Sequence, residues 1–439
     1  MKRIDEAAGK ILEMKFAVGL FEAPLPSLAP LENAEAHRQT ALDAARESIV
    51  LLKNNGILPL RMPERTSLKR LFVVGPNADS QTILGDWAAP QPDSLVITVL
   101  EGIRNEFPGA KIDTLCFGGM IANIDAKGIE AARRKAASAD ICIVVAGENS
   151  QRYSAFGRTC GENCDRDDLD LPGMQQELLE AVASAGKPTV LVLMTGRANS
   201  LAWAKENVDA ILNVWEPGQM GGQAVAEVLS GKVNPSGKLP VTMPRSVGQV
   251  PTVYNHKHSQ YSRLFATNET GPLWPFGFGL SYSCFHYSSP TITTADGTLD
   301  GETTATLGTL RGGTGAKRSG ASGGASRSEA VEPQEVPSAV ARVAVNLTNE
   351  GPYDGAEVVQ LYVRDEYASV TRPVKELKAF RRVFLKVGES AEVAFAITPE
   401  MLQCFGADNR WSVEPGEFTI LIGSSSADQD LQKLTLTVE

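Results

Sequence analysis

The chain has 439 residues, of which 43% are hydrophobic and 21% charged, and its formal net charge at pH 7 is −10. This balance is typical of a globular protein with two or three domains, and it excludes an intrinsically disordered chain. The apolar runs are far shorter than a membrane-spanning helix, and no basic face for a polyanion is indicated. We therefore expect neither a membrane protein nor a nucleic-acid-binding protein.

Four histidines and six cysteines are scattered along the chain. Their spacings form neither a zinc site nor a disulfide framework, so we expect no metal and no cofactor. Cys160 and Cys164 flank a short loop and could pair if oxidised, but reduced thiols are favoured. The N-terminal segment mixes acids with apolar residues, unlike a signal peptide. The cellular location stays open: cytoplasmic, or periplasmic or secreted if the native start lies upstream.

Residues 1–34 are predicted to be a helix followed by a linker. Apolar residues recur at helical spacing and predict an amphipathic helix that ends near Gly19. Prolines at 24, 26 and 30 follow, and they predict an extended connector. A lone helix that leads into a proline-rich tether is typical of the end of another domain.

Residues 35–284 are predicted to form an α/β domain. The composition predicts a helix over 36–52, followed by a turn and a short strand within 54–60. A short, wholly apolar run, typical of a strand buried on both faces of a parallel sheet, occurs at 71–75, and similar apolar runs occur at 141–147, 189–196 and 210–215. Segments of helical composition lie between them, at 128–138, 173–185 and 222–229. This alternation predicts an α/β sandwich, a mostly parallel sheet flanked by helices, with ligands bound beyond the carboxyl ends of the strands.

Residues 285–439 are predicted to form an all-β sandwich. Alternating apolar and polar runs separated by turn residues occur at 343–349, 357–365, 391–398 and 417–425. A Gly/Ser/Ala-rich stretch at 309–328 carries four basic residues and cannot bury enough apolar area to fold. We therefore expect a flexible insertion at about 302–337. A basic patch for an anionic surface is the alternative for this stretch.

The loop over 147–173 is rich in charge, and long loops at the carboxyl edge of a parallel sheet often carry function. Glu148 and Glu162 each follow a glycine in this loop, and either could be a general acid that reaches a leaving group. The alternative is a solvated acidic loop in front of the helix that begins near Gly173.

Asp86 and Trp87 lie in a second loop, after the first buried strand. An aromatic ring beside a carboxylate is an arrangement that binds sugars, although ordinary packing of Trp87 is the alternative. Gly221 and Gly222 begin a helix, and no lysine follows at the spacing of a phosphate-binding loop. We therefore predict close helix packing there and find little support for nucleotide binding.

The motifs VVGPNAD (73–79), VVAGE (144–148), CGENCDRDDLDLPG (160–173), VWEPGQMGGQ (214–223) and PFGFGLSY (275–282) occur in this order. Together they resemble the C-terminal α/β domain of glycoside hydrolase family 3, the β-glucosidase and β-xylosidase group. TRPVKELKAF (371–380) resembles the fibronectin type III-like domain of that family. The first helix resembles the one that closes the family's N-terminal barrel, and the barrel itself is missing.

The resemblance implies a retaining glycosidase that hydrolyses terminal β-D-glucosyl residues, with two carboxylates flanking the scissile bond. It implies that the nucleophile is an aspartate of the barrel, which this chain lacks. It also implies that Glu162 is the acid/base, with Glu148 as competitor because loop lengths vary in the family. We predict that Asp86, Trp87 and Arg166 bind the substrate.

We therefore expect either a fragment or one part of a split β-glycosidase, inactive alone, that acts on a β-linked oligosaccharide or glucoside. A separate barrel chain or domain is the expected partner. The alternative is a non-catalytic carbohydrate-binding or scaffold protein. The fibronectin-like domain is predicted to be a stabilising brace.

Overall fold

The computed structural model describes residues 1–22, 34–60, 69–152, 157–258, 265–266, 269–294, 297–300, 304–307 and 339–439. Two compact units, Met1–Thr40 and Ala41–Glu439, make up the chain. In the first unit, α1 (Lys2–Ala17) is the helix that the apolar spacing predicts, and none of its residues is buried. The helix α2 (Ala34–Ser48) begins in the first unit and ends in the second.

The second unit begins with a six-stranded, mostly parallel sheet flanked by helices, as predicted. Its strands are β1 (Val50–Asn54), β2 (Arg70–Val74), β3 (Lys111–Leu115), β4 (Ile141–Gly147), β5 (Thr189–Met194) and β6 (Ala210–Asn213). The helices between them are α3 (Val99–Glu106), α4 (Ala126–Ala136), α5 (Gln175–Ala183), α6 (Ala202–Asn207) and α7 (Gly221–Ser230). The strand order is β1-β6-β5-β4-β2-β3, and β1 alone of these six is antiparallel to its neighbour.

Both faces of this sheet are buried, which explains why its central strands are apolar throughout. Alternate residues of β4 belong to two different cores: Ile143 packs with α3 and α7, whereas Val144 packs with α4 and α5. The two helices on the first face approach at backbone distance, since a Cβ on Gly102 would lie 2.0 Å from the Gly222 carbonyl oxygen. The predicted close helix packing at Gly222 is therefore confirmed.

The rest of the second unit is mostly antiparallel β structure that folds as a fibronectin type III-like sandwich. Its strands are β7 (Cys284–Thr294), β8 (Gly297–Asp300), β9 (Thr304–Leu307), β10 (Ala341–Gly351), β11 (Gly355–Asp365), β12 (Glu376–Leu385), β13 (Ser390–Ile397), β14 (Cys404–Phe405), β15 (Trp411–Ser412), β16 (Gly416–Gly423) and β17 (Leu431–Val438), with a short helix α8 (Pro399–Leu402). They pair in the orders β13-β10-β7-β8, β12-β11-β16-β17-β9 and β14-β15.

Buried polar contacts join the sandwich to the α/β part. Lys238 Nζ lies 2.9 Å from Glu357 Oε1, and both side chains are almost fully buried. The Tyr287 hydroxyl donates to the same carboxylate at 3.0 Å. Gln360 donates to the carbonyl of Gly277 at 3.0 Å. Because buried ionic groups are costly to leave unpaired, these contacts constrain how the two parts pack.

Two predictions about elements were wrong. The helix predicted over 36–52 ends at Ser48, and the apolar run that follows is the strand β1, which hydrogen-bonds to β6. The turn predicted within 54–60 is present, but no strand occurs there.

In the insertion predicted at about 302–337, residues 304–307 form β9, which pairs in parallel with β17. Residues 301–303 and 308–337 lie outside the described part of the chain.

Among the described residues, no helix has the length and apolar character that a membrane span requires. No group of three or more His, Cys, Asp or Glu side chains could hold a metal ion in that part of the chain. All six cysteines, including Cys160 and Cys164, are free thiols.

Candidate active site

Polar side chains that follow four parallel strands meet at the carboxyl edge of the sheet. Asn77, after β2, donates to the carbonyl of Glu148, after β4, at 3.1 Å. Arg197, after β5, places Nε 3.0 Å from Glu148 Oε2. The Ser150 hydroxyl donates to Glu216, which follows β6. The edge where ligand-binding residues were expected is therefore a connected polar cluster.

Glu148 is the buried centre of this cluster, with 2% of its surface exposed. Arg197 approaches one carboxylate oxygen, and Arg166 Nη1 lies 3.4 Å from the other. Asn199 donates to that second oxygen at 3.4 Å. Two guanidinium groups offset the cost of burying this carboxylate. The arrangement suits a fixed structural anion rather than a group that meets substrate.

Glu162 lies in a different environment, although it belongs to the same loop. Its side chain is 52% exposed and accepts a hydrogen bond from Arg152 at 2.7 Å. Its backbone N–H donates to Asp86 Oδ2 at 2.8 Å, and Arg158 donates to its carbonyl at 3.0 Å. The backbone of Glu162 is thus fixed, while its carboxylate reaches solvent.

Asp86 organises the surroundings of Glu162. Its carboxylate accepts from the backbone N–H groups of Glu162 and Trp87 and from the Arg152 guanidinium. The pKa of Asp86 is lowered, chiefly by the Glu162 N–H and then by the Trp87 N–H and Arg152. Because two backbone N–H groups and two nitrogens of Arg152 donate to its carboxylate, Asp86 acts here as a fixed anion that holds two loops together.

Trp87 is exposed, with 65% of its surface open to solvent. Its φ of 61° lies in the left-handed region, which is strained for an aromatic residue and typical of functional sites. The Arg152 guanidinium carbon lies 3.8 Å from the ring centroid, a cation–π contact that covers one face. The ring is therefore held in place and exposed to solvent beside Glu162.

The structure gathers Asp86, Trp87 and Glu162 into one group, which we call the Glu162 cluster. Arg166, which was predicted to bind substrate with them, pairs instead with the carboxylates of Glu148 and Asp168. A cavity of about 750 Å³ elsewhere in the described residues is lined by Tyr254, Trp274 and Lys375 and by no member of this cluster. The Glu162 cluster is thus an open surface.

Sequence reasoning gave no role to four residues of the site. Arg197 and Glu216 follow predicted strands, so their position was a usable signal. Arg152 and Arg158 carry no such signal, since each meets its carboxylate partner only after a long loop has folded. Their pairing with Asp86 joins residues 66 or more positions apart.

The chain is similar to curated proteins over nearly its whole length. The chain is 36% identical over 454 aligned positions to a beta-xylosidase of Formosa agariphila, covering 100% of this chain and 56% of that protein. It is 35% identical to a periplasmic beta-glucosidase of Salmonella typhimurium, covering 97% and 54%. The chain thus spans about half the length of these curated relatives.

A beta-glucosidase of Listeria innocua, solved in complex with glucose, superposes with a TM-score of 0.77 at 28% identity, covering 99% of this chain and 54% of that one. The fibronectin type III-like domain pattern matches residues 357–426. The pattern of the glycosyl hydrolase family 3 C-terminal domain matches residues 49–282, more than half of the chain. The chain therefore belongs to glycoside hydrolase family 3.

Proposed function

We propose that this chain supplies the acid/base side of a retaining β-glycosidase, with Glu162 as the proton donor and acceptor. The observation that carries the proposal is the contrast between the two candidate glutamates. Glu162 is 52% exposed beside Trp87, whereas the side chain of Glu148 is fully buried between Arg166 and Arg197. A general acid must reach the leaving-group oxygen, so the exposed carboxyl is the better candidate.

The proposed chemistry has two steps. In the first, the Glu162 carboxyl gives its proton to the glycosidic oxygen while the bond from that oxygen to the anomeric carbon breaks. A carboxylate from a complementing domain forms the new bond to the anomeric carbon. In the second, the Glu162 carboxylate takes a proton from water as the water oxygen attacks that carbon and releases the enzyme carboxylate.

The substrates that we propose are β-linked glucosides or xylosides, the classes named for the relatives from Salmonella typhimurium and Formosa agariphila. Trp87 would stack on the sugar with its free face, and Asp86 would fix the loop that carries Trp87. Arg166 is left out of the proposed binding site because its guanidinium already pairs with Glu148 and Asp168.

The nucleophile is proposed to come from an N-terminal barrel, on the same polypeptide or a separate chain. We therefore expect no turnover of nitrophenyl β-glucoside or β-xyloside by this chain alone, and turnover once the barrel of a relative is added. Turnover by this chain alone that Glu162→Gln removes would refute the need for a second domain. No association with the barrel at micromolar concentration would refute the split-enzyme form.

The acid role is tested by leaving-group dependence in the complemented enzyme. Glu162→Gln should abolish hydrolysis of substrates with poor leaving groups and spare the first step for dinitrophenyl glycosides, which need no protonation. Asp165→Asn is the matched control, since Asp165 is an exposed carboxylate of the same loop. Equal losses in both variants, or equal losses of the first-step rate for both kinds of substrate, would contradict the assignment.

A second candidate is carbohydrate binding without catalysis, and the exposure of Trp87 favours it. Calorimetric titration with cello-oligosaccharides would then give binding to the isolated chain that Trp87→Ala abolishes. Binding of this kind in the absence of any turnover with a docked barrel would favour this candidate over the enzyme.

A further inference from the structure

Glu216 is a half-buried carboxylate beside the Glu162 cluster, and the proposed reaction gives it no role. It follows β6 at the carboxyl edge of the sheet, directly after Trp215, whose φ of 57° is left-handed. A strained, bulky residue of this kind persists only where surrounding structure holds it. The backbone at this point therefore aims the next side chain, Glu216, into the cluster.

Three loops close around the Glu216 carboxyl. The Ser150 hydroxyl donates to Oε1, and the backbone N–H of Asp86 donates to the same carboxyl group. A Cβ on Gly85 would lie 2.8 Å from Oε2, and one on Gly196 would lie 3.6 Å from Oε1. Glycines are thus needed where the backbone comes this close to the carboxyl.

The charges that face Glu216 are negative. Asp86 and Glu148 are the nearby carboxylates, and the Cys160 thiol also faces it. No ion pair joins Glu216 to a cation among the described residues, although the arginines of the site pair with Asp86, Glu148 and Glu162. Burial raises the pKa of Glu216, and the negative charge of Asp86 raises that pKa further.

Both hydrogen-bond partners of Glu216 lead to Glu162. Asp86 Oδ2 accepts the Glu162 backbone N–H at 2.8 Å. A Cβ on the preceding Gly161 would lie 2.7 Å from Asp86 Oδ2 and 3.3 Å from the Ser150 carbonyl oxygen. The Gly161–Glu162 backbone therefore packs against the two groups that Glu216 holds.

We propose that Glu216 is a positioning residue, which fixes Glu162 through Asp86 and Ser150. When the Glu216 carboxyl ionises, the hydrogen bonds that Ser150 and the Asp86 N–H donate to it strengthen, and a third negative charge is added beside Asp86 and Glu148, so the amides of Asp86 and Glu162 report the change. The inference rests on the proposed function only in taking Glu162 as the acid/base, since the contacts stand without any catalytic role.

The test follows the backbone amide signals of Asp86 and Glu162 by NMR in the full chain, labelled with 15N and titrated from pH 4 to pH 8.5. Both signals should shift together in one step above the titration of an exposed glutamate. The Asp86 carboxyl itself titrates at lower pH than this shared step, because its pKa is lowered. Glu216→Gln should remove the shared step, and Glu177→Gln, an exposed control on α5, should leave it unchanged.

Removal of the side chain gives the second readout. In Glu216→Ala the Glu162 amide should exchange its hydrogen about tenfold faster than in the wild type, and Glu216→Gln should restore most of the protection. If the alanine variant does not fold, the glutamine titration decides. A shared titration step that persists in Glu216→Gln would overturn the proposal. So would a Glu162 amide whose hydrogen-exchange rate is unchanged in both variants.

Activity of the chain complemented with a barrel separates this inference from the proposed function. With an active complex, kcat/KM should fall in Glu216→Ala and be largely restored in Glu216→Gln. An inactive complex would refute the proposed function, and the amide titration would still decide whether Glu216 positions Glu162.

Discussion

Replacing the buried Glu148 by glutamine should destabilise the α/β part severely, although the side chain keeps its shape. In the wild type, Arg166 and Arg197 lie 3.4 Å and 3.0 Å from the Glu148 carboxylate oxygens that balance their charge. Glutamine replaces this carboxylate by a neutral amide. Breaking a buried ion pair in this way costs about 3–5 kcal/mol. For a domain of this size, we expect the melting temperature to fall by about 6–20 °C.

The matched variant is Glu162→Gln, which makes the same chemical change on the same loop. Because Glu162 is 52% exposed and pairs with Arg152 at the surface, its loss should cost only about 0.2–1 kcal/mol. Scanning calorimetry of the three proteins at pH 7 measures both effects. Equal melting temperatures for Glu148→Gln and the wild type, or a larger loss in Glu162→Gln, would refute the division into a structural and a functional glutamate.

Three further expectations concern stability alone. Burial raises the pKa of Glu216 in the folded chain. Protonated Glu216 therefore contributes its full stability below the unfolded-state pKa, and this stability is lost as pH rises through the raised folded-state pKa. Urea melts should show this loss in the wild type and not in Glu216→Gln. Gly157→Ala should lower the free energy of unfolding by about 1 kcal/mol, because Gly157 has a φ of +70° but open space around it. Gly161→Ala should lower the melting temperature clearly more, because its Cβ would also lie 2.7 Å from the Asp86 carboxylate. Equal shifts in the two variants would contradict this close approach. Glu357→Gln should destabilise by about 3–5 kcal/mol by leaving Lys238 buried without its carboxylate, and an unchanged calorimetric trace would argue against a role for this pair in joining the two parts.

The fold was predictable where the sequence pattern has one physical meaning. A run such as 141–147, apolar at every position and closed by glycine, suits a strand covered on both faces, and β4 occupies those residues. The run 49–52 has two meanings, since four apolar residues after a helical segment suit either more helix or a buried strand. Pairing with β6, about 160 residues further on, selects the strand β1.

The site was predictable only in outline. The rule that ligands bind beyond the carboxyl ends of parallel strands located Glu148, Arg197 and Glu216 in one neighbourhood. Which arginine pairs with which carboxylate depends on contacts between residues tens of positions apart in the sequence, and no local sequence pattern encodes these contacts. Glu148 and Glu162 both follow a glycine in the sequence, and only the fold separates them by burial.

Under the proposed function, the environment of Glu162 indicates what a complementing domain would supply. A carboxyl that donates a proton near neutral pH is found in apolar, water-excluded surroundings or beside a second carboxylate. In the described residues the Glu162 side chain is half exposed, and the cation Arg152 pairs with both Glu162 and the neighbouring Asp86. Asp86 already balances Arg152 through two hydrogen bonds, so a docking surface can draw Arg152 from Glu162 without leaving that arginine unpaired. A barrel that covers Trp87 and brings its nucleophile opposite Glu162 would provide the closed cleft and the second carboxylate together.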